Sequence, residues 1–316
     1  MKQYSWQWHH PSSKNALFLG VVTVIGCFVL IKEHLYCVYT SKGTWKKRAQ
    51  WIATSKILTG TTALMVASYA GHTQCVRELV LHGADINLHR DSGATALFFA
   101  AQQGHNDIVK FLFEYGASTE FTTRDGGTAM LTACQHGHCK VVETLLKNGA
   151  NINDQLCDGA TPLFLAAQGG FIDVVRLLLT YGAKANQPRQ DGTTALWIAA
   201  QLGYSEVVRV LLLRGADRDT ARMDGTSPLF KAAAKGFSDV IEELLKFSPA
   251  LGMLKNGSTA LHAAVLGGSI RSVALLLEAG AIPTIRNKAN ELPADLTKNE
   301  RILRLLKSKE TKSIQP

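Results

Sequence analysis

Cysteine and proline are both scarce in this chain, with six and eight among 316 residues. So few prolines, beside 27 glycines, exclude a collagen-like or proline-rich architecture. Six scattered cysteines do not make a disulfide scaffold, and their scatter fits a reducing compartment. Catalytic signatures are missing as well. The chain has no G-x-x-x-x-G-K-[ST] phosphate loop, no G-x-S-x-G elbow and no H-E-x-x-H pair. Asp217-x-Asp219 is too short for a calcium loop, which needs further oxygens downstream. No catalytic residue, no cofactor and no metal are expected. What the chain does have is apolar mass. At 46% hydrophobic it cannot be wholly disordered, and it suffices for one long or two ordinary domains.

The net charge of +9 is unevenly placed. Residues 1–56 hold eight basic side chains against the single acid Glu33, whereas residues 57–290 hold 20 of each sign. Residues 291–316 add six basic and four acidic groups. A nucleic-acid binder would need a basic body, and this body is neutral, so no nucleic-acid partner is expected.

Three ladders run through residues 57–290 in phase. Gly followed by a mostly aromatic residue or His recurs from Gly71-His72 to Gly236-Phe237 in steps of 33, with a last step of 32 to Gly268-Ser269. Gly-Ala recurs from Gly83-Ala84 to Gly280-Ala281, with Ser248-Pro249 standing in the one short unit. Leu or Met completes the set at Leu64, Leu97, Met130, Leu163, Leu196, Leu229 and Leu261. Such periods signal stacked repeats, each too small to bury its apolar faces alone. Within a unit, Thr194 suits a helix N-cap and Gly203 a left-handed stop. Val207 to Leu212 has the apolar spacing of a second helix, and Asp217, Asp219 and Asp224-Gly225 are turn residues of a connecting finger.

The copy Thr161-Pro162-Leu163-Phe164-Leu165-Ala166-Ala167, followed by Val174-Val175-Arg176-Leu177-Leu178-Leu179 and Gly182-Ala183, resembles the ankyrin repeat. The resemblance implies an all-α ankyrin-repeat solenoid: seven helix-turn-helix units with finger loops over 57–290, and a degenerate half-repeat cap over 291–309 before a tail at 310–316. Residues 186–192 and 287–293 carry a closer likeness to one member of the family. The resemblance also implies a non-enzymatic scaffold or adaptor, a monomer that binds an unidentified protein partner on its concave face and finger edge. Asparagine hydroxylation at Asn87, Asn153 or Asn186 is a further implication.

Three columns stand out against this pattern. The family places a His after the Pro-Leu pair to tie neighbouring repeats. Here that column reads Met65, Phe98, Leu131, Phe164, Trp197, Phe230 and His262. Either interior packing has replaced the polar tie, or the rings line an exposed groove. A polar column on the first helix, Tyr69, Gln102, Gln135, Gln168 and Gln201, falls on the edge the family turns to its concave surface. A primary amide both donates and accepts, so these are candidate partner-binding residues. Near the finger tips lie Arg90, Arg124, Arg189, Arg222 and Lys255, further candidates for an acidic contact, with only the finger at Leu156-Cys157 lacking a basic residue. Cys134, His136, His138 and Cys139 have the residue types of a zinc site, but Cys134 falls in an Ala column and His138 in the Gly-aromatic ladder. The repeat explains both.

Residues 1–56 do not repeat. A polar start at 1–15 leads into a candidate transmembrane or signal-anchor segment at 16–39 and a basic linker at 40–56. Ala16 to Ile31 is uncharged, and as a helix it would span roughly 24 Å, against a hydrocarbon core of about 30 Å. Lys32, Lys42, Lys46, Lys47 and Arg48 after the run outnumber Lys2 and Lys14 before it, which leaves the repeats facing the cytosol. Two readings stand: a membrane anchor, or an alternative first exon on a cytoplasmic protein.

Overall fold

The computed structural model describes residues 56–57 and 60–310. The expected polar start, the apolar run and nearly all of the basic linker lie outside these residues. Among the described residues no helix is long and apolar enough to cross a membrane.

Each repeat folds for local reasons. The first helices are α1 (Ala63–Ala70), α3 (Ala96–Gln103), α5 (Ala129–Gln135), α7 (Pro162–Gly169), α9 (Ala195–Leu202), α11 (Pro228–Lys235) and α13 (Ala260–Leu266). An extended Thr or Ser precedes every one and accepts a hydrogen bond from the backbone N–H three residues on. Thr161 does so from Phe164 at 3.1 Å, and Thr194 from Trp197 at 3.2 Å. The second helices are α2 (Thr73–Leu81), α4 (Asn106–Glu114), α6 (Cys139–Lys147), α8 (Ile172–Thr180), α10 (Ser205–Leu213), α12 (Ser238–Leu245) and α14 (Ile270–Glu278). Their apolar stripes are buried, as at Val174, Val175 and Leu178 or Val240, Ile241 and Leu244. Fully buried alanines such as Ala100, Ala166, Ala199 and Ala232 let the first helices approach closely.

The chain divides into two compact units at Phe121 and Thr122. In the first, α1 packs on α3 and α2 on α4, and a short antiparallel pair, β1 (Lys56–Ile57) and β2 (Thr61–Thr62), precedes α1. In the second, α5, α7, α9, α11 and α13 form one row and α6, α8, α10, α12 and α14 the other. A 3-10 turn, Pro293–Leu296, lies against α13, and the last helix α15 (Glu300–Glu310) lies against α14. Ile302 and Leu306 of α15 are buried while Lys298, Glu300, Arg301 and Arg304 are exposed. A polar outer face of this kind closes a repeat stack against water.

The Gly-aromatic ladder is a packing device between repeats. Gly170 ends α7 at φ +71°, and a Cβ there would lie 2.8 Å from the ring of Tyr204 in the following repeat. The fingers add a ladder of their own. Backbone N–H groups of Cys157, Gln190 and Met223 donate to the carbonyls of Asp125, Asp158 and Asp191 at 3.0, 3.0 and 3.1 Å, and Lys288 donates to Asn256 at 2.8 Å. Among the described residues this ladder skips the rung between Asp224 and the finger around Lys255, in the unit one residue short. There Ser248 takes the place of the ladder glycine and still adopts φ +50°. Side chains clip the finger bases together. Asn87 binds Gly116 and Ser118, Asn186 binds Gly215 and Asp217, and Asp219 accepts from Ala250 N–H at 2.8 Å.

Candidate functional site

The column expected to carry either packing or an exposed groove is interior. Met65, Leu131, Phe164, Trp197 and His262 are buried, and Phe98 and Phe230 are half-buried, so the exposed aromatic groove is not there. Nor has packing replaced the polar tie everywhere. His262 accepts from Thr259 N–H through Nδ1 at 3.1 Å, and its Nε2 lies 3.2 Å from the Glu291 carbonyl, 29 residues on. Trp197 makes the equivalent bond with an indole N–H: Nε1 donates to the Thr226 carbonyl at 2.8 Å, also 29 residues on. A donor on a larger ring does the work of the missing histidine.

In the first unit, Tyr69 is half exposed, and its ring meets Phe99 edge-on at 6.0 Å. The guanidinium of Arg90 lies 5.9 Å over the same Phe99 ring, and Gln102 is half-buried on α3. Phe99 went unnoticed in the sequence because it follows, rather than occupies, the column that begins at Met65.

In the second unit, the structure separates the sequence candidates. Gln135 and Gln168 are exposed and Gln201 is half-buried, and none of the three amides makes a hydrogen bond among the described residues. Arg124 and Lys255 are exposed without an ion-pair partner within 4 Å among the described residues. Arg189 and Arg222 are differently used. Arg189 reaches Asp158 of the preceding finger at 2.7 Å and lies 5.1 Å over the ring of Phe164. Arg222 reaches Asp191 at 3.1 Å and Asp224 at 3.5 Å and lies 5.5 Å over Trp197. Each arginine thus joins its own finger to the preceding repeat.

Two carboxylates of this ladder, Asp191 and Asp224, have lowered pKa values. Partial burial pushes Asp191 up, but hydrogen bonds from the Thr193 side chain and backbone, with Arg189 and Arg222, outweigh it and hold the group below the usual carboxylate range. The same balance, with Thr226 and Arg222 as partners, lowers Asp224. Lys231 on α11 was not among the sequence candidates. Its ammonium lies 5.5 Å over Trp197, and burial, then the charge of Lys235, lowers its pKa despite the opposing pull of Asp224.

The Cys134–Cys139 stretch does not gather ligands. Cys134 is buried, with its Sγ 3.8 Å from Met130 Sδ, and burial raises its pKa. The His136 and His138 rings stack at 6.1 Å. Among the described residues no group of three His, Cys, Asp or Glu side chains converges.

Comparison with known proteins agrees with this geometry. A family model described as ankyrin repeats (3 copies) matches residues 44–125, 64–156, 130–222 and 211–287. Ankyrin repeat domain-containing protein 29 of Homo sapiens is 81% identical over 68 residues, 22% of this chain and 23% of that protein. Its Danio rerio counterpart is 71% identical over 65 residues, 21% and 22% of the two chains. The chain therefore spans less than a quarter of the length of these curated relatives. The crystal structure of the human ASB11 ankyrin repeat domain superposes with a TM-score of 0.62 at 27% identity, over 68% of this chain and 98% of that one.

Proposed function

We propose that this chain, which belongs to the ankyrin-repeat family, is a non-enzymatic scaffold or adaptor that binds a protein partner as a monomer. The partner lies along the first-helix row, the face the family turns concave, and along the finger edge. One observation carries this reading: Gln135, Gln168 and Gln201 recur at 33-residue spacing with amides unspent on the repeat's own hydrogen bonds. Such a row can pair with an extended backbone, each amide donating and accepting. Buried, precisely tied residues hold the row in place, so little ordering entropy is lost on binding. Arg124 and Lys255 extend the surface toward the finger tips, while Arg189 and Arg222 serve mainly to hold it in shape. Tyr69, Arg90 and Gln102 form the corresponding surface of the first unit.

The test replaces Gln135, Gln168 and Gln201 with alanine together and compares proximity labelling of the variant and the parent. Loss of a defined set of labelled proteins, with unchanged circular dichroism, is the expected result. An identical set would remove the first-helix row from the binding surface. A second reading keeps the same repeats and tethers them. Its support is the uncharged run from Ala16 to Ile31 with basic residues after it, which suits a membrane anchor with cytosolic repeats. Complete release of the full chain by carbonate extraction would leave the cytoplasmic adaptor as the reading.

A further inference from the structure

We infer that the junction around the short sixth repeat is a docking site for an extended acidic and apolar segment of a partner protein, whose carboxylates meet Lys231, Lys235 and Lys255. This rests on the scaffold reading above and gives it a partner chemistry.

The junction is physically opened. A Cβ placed on Gly126, Gly159, Gly192 or Gly257 would stand 3.0–3.3 Å from the backbone of the next finger. On Gly225 the nearest atom is Leu254 Cδ2 at 3.8 Å, and no ladder bond forms at this step among the described residues. Between the two fingers lies a groove of about 160 Å³ lined by Ala221, Phe230, Leu251, Met253 and Leu254 among others. Small-molecule sites run to roughly 300–1,000 Å³, whereas a cavity of about 150 Å³ takes a benzene ring. One apolar side chain is the occupant this size suits. Met223 and Met253 stand exposed on the two fingers, and Leu202 and Leu266 on the adjoining helices.

Charge selects the rest of the segment. The first helices of the second unit contain no Asp or Glu at all, and their only formal charges are Lys231 and Lys235, one helical turn apart on α11. The second helices of that unit hold seven acids against five bases. A neutral repeat body is therefore polarised across its two rows. Lys231, Lys235 and Lys255 have no ion-pair partner within 4 Å among the described residues. The nearby acids are occupied: Asp224 by Thr226 and Arg222, Asp219 by Ala250 and Arg218. Lys231 is crowded by Lys235 and Arg222, and an incoming carboxylate relieves that repulsion. Phe230 and Leu254, which line the groove, directly precede Lys231 and Lys255 in the chain. With Asp219 lining the groove and Asp224 acting on Lys231, the junction makes a poor track for a phosphate backbone, which needs several contacts of one sign.

The probe is a fluorescein-labelled peptide of alternating glutamate and leucine, followed by polarisation with the full chain. The parent protein is expected to bind it with an affinity that falls as salt is raised. The K231E/K235E variant should bind about tenfold more weakly, and K231Q/K235Q, which is gentler on folding, by an intermediate factor. Peptides with glutamine for glutamate, or serine for leucine, should each bind more weakly than the probe. Equal binding by parent and both lysine variants would overturn the proposal. So would equal binding of a mixed-sequence single-stranded oligonucleotide, or no binding of the probe to the parent at low salt. In each of those cases the alanine triple at Gln135, Gln168 and Gln201 still decides the scaffold reading separately.

Discussion

Gly170 and Gly182 allow the inter-repeat stack to be weighed against backbone strain alone. Both have positive φ, +71° and +87°, so alanine at either incurs the left-handed penalty, about 1–2 kcal/mol. Their surroundings differ. A Cβ on Gly182 meets nothing within 4 Å, whereas on Gly170 it would press to 2.8 Å of the Tyr204 ring. Overpacking of that kind adds about 1–3 kcal/mol. Gly182→Ala should therefore lower stability by about 1 kcal/mol and Gly170→Ala by about 3 kcal/mol. Urea titration followed by far-UV circular dichroism measures both, with slopes compared to confirm that the unfolded reference is unchanged. In the Tyr204→Ala background the excess at Gly170 should disappear, appearing as a coupling of about 1–2 kcal/mol in the double-mutant cycle. Equal losses at the two glycines, or no coupling to Tyr204, would show that the ring does not rest on Gly170 as described.

Trp197→Phe removes the indole bond to Thr226 but leaves that carbonyl the Arg222 N–H at 3.0 Å, so the hydrogen-bond loss should be about 1 kcal/mol and no stranded acceptor; a urea midpoint equal to the parent's would refute the tie. Asp191, Asp217 and Asp224 all have lowered pKa values in the folded state, so they contribute stability above the unfolded carboxylate pKa near 3.9, and that contribution drains away as pH falls through their folded values. Urea midpoints should accordingly drop below about pH 4, less steeply in D191N/D224N than in the parent. Cys157 is exposed and Cys134 buried with a raised pKa, so iodoacetamide followed by peptide mass mapping should modify Cys157 first and Cys134 only on unfolding. Limited proteolysis should nick first between residues 247 and 256, where Ser248 holds φ +50° and the finger ladder is interrupted; cuts spread evenly over the repeats would show that the junction is no weaker than its neighbours.

The helix pairs were legible because their signals are local. A Thr cap, an apolar spacing and a left-handed glycine lie within one unit, and the 33-residue period repeats the message. The roles of the finger arginines were not, because each depends on two partners about a repeat away. Arg189 needs Asp158 and the Phe164 ring; Arg222 needs Asp191 and the Trp197 ring. A signal was present all the same. The finger without a basic residue carries Leu156, which packs in an apolar cluster with Leu131, a column position that has no ring to receive a guanidinium. The exchange of arginine for leucine on the finger follows the exchange of ring for leucine in the helix. The apolar class of the column points to packing in place of the polar tie or to an exposed groove, yet the Trp197 nitrogen preserves the tie, because residue class hides the one donor that an indole carries.

The same distinction governs the charges. A sum of zero over residues 57–290 argues against a uniformly basic body, yet it conceals where the signs lie. Many of the charges on the second helices and fingers neutralise one another locally, as Arg271 does with Asp239 and Glu242 on neighbouring helices and Arg222 with Asp191 between fingers. Pairs of that kind cancel in the field felt by a partner at a Debye length. The first-helix row carries no acid, and neither Lys231 nor Lys235 has an ion-pair partner within 4 Å among the described residues, although Asp224 of the finger acts on Lys231. Specificity in a neutral repeat protein can thus rest on two or three unpaired cations, provided the row that bears them is otherwise uncharged. The unit shortened by one residue at Ser248-Pro249 is the one that carries these lysines, and the groove lies between its finger and the next. That coincidence, more than the overall charge, is what singles out this junction from the six regular repeats.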